Sequence, residues 1–143
     1  MPSELFKKQI VFLPNIAELI RYATRRGARF TEAESYVKDT VFYIRNLHPG
    51  INIKSPHRED GGHFNRLAKD MNLFLPKNGQ NDHVPPDEIE YDWIVNAHPM
   101  WNELGTYWKS LHPLNRWGGD FRNSKGEKVN DFNHFSMEHG GVQ

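Results

Sequence analysis

Cysteine is absent from the 143 residues. That absence excludes disulfide scaffolds, cysteine-ligated zinc fingers, iron–sulfur clusters and cysteine nucleophiles, so any metal would be held by His, Asp, Glu or water. Excess charge of either sign is also missing. Eighteen Lys and Arg balance eighteen Asp and Glu, giving a formal net charge of zero with the eight histidines neutral. Nucleic-acid binding depends on clustered cations that neutralise several phosphates. The one basic cluster, Arg21, Arg25, Arg26 and Arg29, falls at the end of a predicted helix, where cations complement the helix dipole, so no nucleic-acid partner is expected. No apolar run approaches the ~20 residues that span a bilayer, and the opening MPSELFKKQIVFLPN has no signal-peptide core or cleavage site. The expectation is a monomeric protein without a membrane anchor, made in the cytoplasm. The chain shows no internal repeat and no low-complexity tract, and its length suits one domain with a core of its own.

Apolar residues at Leu5, Phe6, Ile10, Leu13, Ile16, Leu19, Ile20 and Ala23 recur at three- and four-residue spacing and predict a helix from Ser3 to Arg26. Ser3 is its candidate cap and Gly27 its end. Pro14 predicts a kink or a break, with Asn15 capping the second piece. After an extended Ala28 to Phe30, the capping-box pattern Thr31-Glu-Ala-Glu34 predicts a second helix to about Asn46, ended by His48-Pro49-Gly50. Residues 51–63 are rich in Gly, Pro and His and read as a loop. From Arg66 to Leu75 the period is two, with Leu67, Met71, Leu73 and Leu75 on one face and Arg66, Ala68, Asp70 and Asn72 on the other. Pro76 to Asp92 read as a long irregular connection. A helix from about Pro99 to Ser110 places Trp101, Leu104, Tyr107 and Trp108 in the core. The segment Arg116 to Phe121 reads as a turn, and Asn133 to Glu138 as a final alternating strand.

His63 at the entry from the loop to the Arg66–Leu75 strand, Asp70 on that strand's polar face and His134 at the start of the last strand stand out as oxygen and nitrogen ligands. Two imidazoles and a carboxylate make a three-ligand zinc site with a position left for water, the arrangement of a catalytic rather than a structural zinc. Asp131, three residues before His134, is the natural carboxylate to take a proton from that water. A second reading of the same residues needs no metal. In it His63 caps a loop, Asp70 pairs with Arg66, and His134 is a satisfied core histidine. The odd separation of His63 and Asp70 also requires a bend near Phe64-Asn65 to bring both to one side.

The segment GGHFNRLAKDMNLF resembles the His-x6-Asp motif of the zinc peptidases that cut bacterial cell-wall peptides, the D-alanyl-D-alanine carboxypeptidases and phage L-alanyl-D-glutamate endolysins. In the usual Ser-x-His-x2-Gly-x-Ala-x-Asp form, His63, Ala68 and Asp70 fall in register, with Gly61 in place of Ser and Arg66 in place of Gly. Downstream, LHPLNRWGGDF and DFNHFSMEHGG look like the closing motifs of the same proteins, and the resemblance covers the chain from about His57 onward. It implies His63, Asp70 and His134 as zinc ligands and Asp131 as catalytic base. An Asp where carboxypeptidases usually carry Glu looks more like the endolysin branch. The family's Arg-Thr pair is represented by Arg29-Phe30-Thr31, one residue out of step, so that Arg66 or Arg116 is the alternative to Arg29 as the arginine that binds negative charge. His57 has Phe64 rather than an acid seven residues on and reads as a loop residue, and His139 reads as a surface residue. Glu138 is a candidate acceptor behind the His134 imidazole. Trp117 and its two glycines form either a cleft wall or a buried turn.

The expected fold is α+β, a small single domain with helices packed on a short antiparallel sheet that carries zinc on its open face, as in D-alanyl-D-alanine peptidases and hedgehog-like domains. The expected function is zinc-dependent hydrolysis of an amide in the peptidoglycan stem peptide. The L-alanyl-D-glutamate bond is favoured, as in a phage endolysin that reaches the cell wall from the host cytoplasm at lysis. The alternatives are a D-alanyl-D-alanine carboxypeptidase and a non-catalytic zinc-binding virion module.

Overall fold

The computed structural model describes residues 2–33, 66–77 and 84–143. The first helix, α1 (Glu4–Arg25), begins where Ser3 Oγ accepts the Phe6 amide at 3.1 Å, the cap read from the sequence. It ends in a Schellman arrangement: Gly27 takes φ +84°, its amide reaches Thr24 O at 3.1 Å, and the Ala28 amide reaches Ala23 O at 2.9 Å. The break expected at Pro14 does not occur, because one continuous helix runs through it and Asn15 caps nothing. The apolar stripe is also narrower than the spacing implies. Phe12, Ile16, Leu19 and Ala23 are buried at i, i+4, i+7 and i+11, whereas Phe6, Ile10, Leu13 and Ile20 lie on the neighbouring flank and stay exposed.

Strand β1 (Arg29–Glu32) follows at once. The sequence pattern placed a helix start at Thr31, but Thr31 and Glu32 instead pair with Asn72 and Met71. A β-branched residue beside a ready strand edge gains a ladder, which outweighs the local cap. Lys69 pairs with Glu32 across this ladder, and its hydrogen bond and charge hold the Glu32 carboxyl below its usual pKa. The remainder of the predicted second helix and the predicted loop after it lie outside the described residues.

Strand β2 (Ala68–Pro76) is the centre of the sheet and alternates as its sequence predicts, with Leu67, Met71 and Leu73 buried on the helix side. Arg66 is not part of it; it sits in the preceding turn with φ +58°. Strand β3 (Tyr91–Ile94), which the sequence does not predict, begins in the last two residues of the expected irregular connection and pairs antiparallel with Leu73–Pro76. The four-residue run YDWI is too short to declare a period, so pairing with β2 decides it. Helix α2 (Pro99–Leu111) matches its expectation, with the His98 side chain accepting from the Met100 amide at its start. Strand β4 (Asn115–Trp117) takes the first two residues of the expected turn, and β5 (His134–Met137) is the last strand. All four β5 residues are buried, so the expected alternation of exposure is absent; chain covers both of its faces.

The sheet order is β1-β2-β5-β4, with β3 pairing β2. Because β1 holds one edge of β2 at Met71–Phe74, β5 and β3 share the other edge, β5 at Ala68–Asp70 and β3 at Leu73–Pro76. Both helices pack against the sheet with each other's aromatic residues in contact: Phe12 meets Trp108 edge-on at 5.7 Å and Tyr22 stacks on Tyr107 at 3.9 Å. Trp108 Nε1 donates to Arg116 O at 2.9 Å and Ser136 O at 3.1 Å, which pins α2 to β4 and β5. Trp101 and Trp108 are core residues, as expected. Among the described residues no helix is long and apolar enough to cross a membrane.

Candidate metal centre

Alternation along β2 sends Asp70 to the face away from the helices, and the register places it directly opposite His134 on β5. The two side chains meet there, with His134 Nδ1 3.2 Å from Asp70 Oδ1. Asp131 joins them through a turn. Its carbonyl accepts the His134 amide at 3.2 Å, so both side chains project to the same side and Asp131 Oδ2 stands 3.8 Å from His134 Nδ1. Exposure differs across the trio: the side chains of His134 and Asp70 are 8% and 17% accessible, that of Asp131 42%. The Phe121 ring covers the imidazole at 5.3 Å between centroids.

The turn that carries Asp131 is braced by the segment Trp117-Gly118-Gly119, which matches the buried-turn alternative for these residues, while their contact with the Asp131 turn was not read from the sequence. A Cβ on Gly118 would lie 2.0 Å from Asp131 O, so only glycine lets the two backbones approach this closely. Trp117 Nε1 donates to Phe132 O at 2.8 Å, and the indole is itself seated against Gly105 and Gly119, where any Cβ would strike its ring. Trp117 is buried, so it is a brace rather than an open cleft wall. Two glycines after a tryptophan, upstream of Asp-x2-His, are the sequence signal of this close approach.

The other expectations fare differently. Arg29 is not brought to the trio: it pairs with Phe74, four positions along β2 from Asp70, and its guanidinium donates to Ala28 O at 2.9 Å and Thr24 O at 3.4 Å. The bond to Thr24 O reaches the carbonyl end of α1, whereas Ala28 lies beyond the helix. Arg116 is engaged with Glu138 at 2.6 Å and with the Pro113 and Asn115 carbonyls. The same pair commits the Glu138 carboxylate to Arg116. His139 Nδ1 lies 3.3 Å from Lys8 Nζ at the far end of β5, a half-buried contact rather than an open surface position. Arg66 is exposed just ahead of β2. His57 and His63 lie outside the described residues.

Two donors of one tetrahedral zinc, each at ~2.0–2.1 Å, stand about 3.3 Å apart. The Asp70 and His134 atoms therefore have the separation of neighbouring ligands, which in the metal-free protein is also a hydrogen-bond distance. An imidazole nitrogen and a carboxylate oxygen are the donor types zinc takes. Asp70, Asp131 and His134 are neighbours, but among the described residues no group of three or more His, Asp or Glu side chains is arranged to hold a metal ion, so a complete set needs a ligand from beyond them. No model of a known protein family matches the chain, and a search of characterised proteins found no match.

Proposed function

We propose that the chain is a zinc-dependent hydrolase of an amide bond in peptidoglycan stem peptides, with the D-alanyl-D-alanine peptidase type of fold. Within that class we infer an L-alanyl-D-glutamate endopeptidase of the phage endolysin kind, released from the host cytoplasm to the wall at lysis. The observation that carries this reading is the meeting of Asp70, Asp131 and His134, three of the four residues that the His-x6-Asp and Asp-x2-His motifs single out, on one face of the sheet. The residues that would hold zinc are Asp70 and His134 with His63.

Bound there, zinc would supply Lewis acidity toward the scissile carbonyl and lower the pKa of water. Asp131 accepts the proton of the attacking water and returns it to the leaving amine. Its partly accessible carboxylate can exchange protons with solvent, while its turn holds it beside the imidazole. The Phe121 ring against His134 and the Trp117 bond to Phe132 O in the turn limit bulk water on the imidazole side and brace the turn. Arg66, exposed ahead of β2, is the arginine suited to a substrate carboxylate, since Arg29 and Arg116 are already engaged.

Digestion of purified Gram-negative peptidoglycan, with products read by mass spectrometry, tests the reading. New L-alanine C-termini and D-glutamate N-termini, lost with chelator and restored by zinc, are expected. Release of free D-alanine would replace the endopeptidase by a carboxypeptidase. Intact peptidoglycan in the presence of stoichiometric zinc would overturn the hydrolase reading.

A further inference from the structure

Beside its buried stripe, α1 carries a second apolar row that the core does not use. Phe6, Ile10, Leu13, Ala17, Ile20 and Thr24 follow one another at alternating steps of four and three residues. Eighteen residues in five steps is the 3.6-residue period of a straight helix, so the six form one line parallel to the axis over most of its length. All six are exposed, Phe6 by 50%, Ile10 by 56%, Leu13 by 64% and Ile20 by 38%. Thr24, the one polar member, donates its hydroxyl to Ile20 O at 2.9 Å, so it asks nothing of solvent.

The row has the size of an interface. At ~200 Å² for a whole side chain of this kind, the four large residues leave roughly 400 Å² open, as much as the largest apolar patch of a typical monomer. Packed on a second copy, these side chains alone would remove roughly 800 Å² from water. Their neighbours Lys7, Gln9, Pro14 and Arg21 carry the contact past the ~1,000 Å² at which a specific interface begins.

Two features favour a second copy as the occupant. The row is complementary to its own reverse. With a two-fold axis crossing it midway between Leu13 and Ala17, Phe6 stands opposite the partner's Thr24, Leu13 opposite the partner's Ala17, and Ile10 opposite the partner's Ile20. Large faces small in both unequal pairs, which lets facing helices interdigitate. In a parallel register each residue would meet itself, crowding at Phe6 and leaving a gap at Ala17. The second feature is the rim. Lys7 and Arg21 are paired within the helix, with Glu4 at 2.8 Å and Glu18 at 3.2 Å. An anionic lipid surface draws on unpaired cations around an apolar face, whereas a protein interface is closed by a polar rim of this kind.

We propose that α1 is the interface of a two-fold symmetric dimer, with its row from Phe6 to Thr24 packed antiparallel against the same row of a second copy. The dimer takes the place of the monomer expected from the sequence. Asp70 and His134 lie on the sheet face turned away from the helices, so both candidate centres stay open.

The test is sedimentation velocity of the full chain from about 1 to 200 µM. The mass is expected to rise with concentration from 16.7 kDa toward twice that value. Leu13→Glu and Ile10→Glu, at exposed positions, should keep the fold by circular dichroism and weaken association at least about tenfold, because each places an unpaired charge in the seam. Val11→Glu, exposed on α1 but off the row, should leave association unchanged. Ala17→Leu should weaken it by crowding the partner's Leu13, and Leu13→Ala combined with Ala17→Leu should restore it. A mass of 16.7 kDa at every concentration would overturn the proposal, and co-sedimentation of that single chain with phosphatidylglycerol vesicles would give the row to a lipid surface instead. A dimer indifferent to Leu13→Glu would overturn it as well, and tighter association of Ala17→Leu would reject the antiparallel pairing.

Discussion

The two halves of β2 share one outer face and sort their side chains in opposite senses. Where β2 runs beside β5, a histidine and a carboxylate meet in near-complete enclosure, under the Phe121 ring. A few residues further, where β2 runs beside β3, the neutral aromatic Trp93 is left in solvent on its Phe74 support. Ordinary burial puts the apolar group inside and the ionisable group outside, so both halves depart from it. On the proposed reading, the enclosed pair is the part of the strand that would hold the metal. One strand carries both because β5 and β3 divide its edge.

The contrast is broken hardest at Asp131. Asp131→Asn keeps the shape of the side chain and removes the proton acceptor, so hydrolysis should fall by about 10²–10⁴-fold while zinc affinity stays near wild type. Steady-state digestion and metal titration on the same preparation check this. A parallel loss of zinc would make Asp131 a ligand instead of a base.

A smaller effect is expected at Gly118. A methyl group there meets Asp131 O at 2.0 Å, and the backbone must move to accept it. Overpacking of this kind costs about 1–3 kcal/mol, seen as a melting temperature lowered by several degrees. Activity should fall further than stability does, because a shift of ~1 Å in a catalytic group can cost ~10²-fold. An active Gly118→Ala variant with an unchanged melting temperature would show that the brace does not position the base.

Much of this arrangement is written locally. The cap at Ser3, the close at Gly27, the alternation of Leu67, Met71 and Leu73, and the helix from Pro99 each depend on neighbours within a turn or two, and each appears as expected. The placement of Asp70 on the outer face follows from the same alternation. What was not legible depends on partners distant in sequence. Thr31 and Glu32 join a strand only because β2 offers an edge, and Tyr91–Ile94 is a strand only because the same β2 has a second one. The motif position of Arg29 suggests a substrate-binding residue, but its guanidinium bonds to the neighbouring Ala28 carbonyl and to Thr24 O at the end of α1. Gly118 and Trp117 carried a signal in their spacing. Their purpose emerged only with the Asp131 turn lying against them.

The most direct measurement is thermal unfolding of the protein after exhaustive chelation, with and without added zinc, for wild type and His134→Ala. A site held by Asp70 and His134 predicts a wild-type melting temperature that rises with zinc, by an amount equivalent to about 4 kcal/mol at a thousandfold excess over Kd, and no such rise in His134→Ala. A wild-type curve indifferent to chelator and zinc alike would contradict it and leave the His134 and Asp70 contact as a structural hydrogen bond.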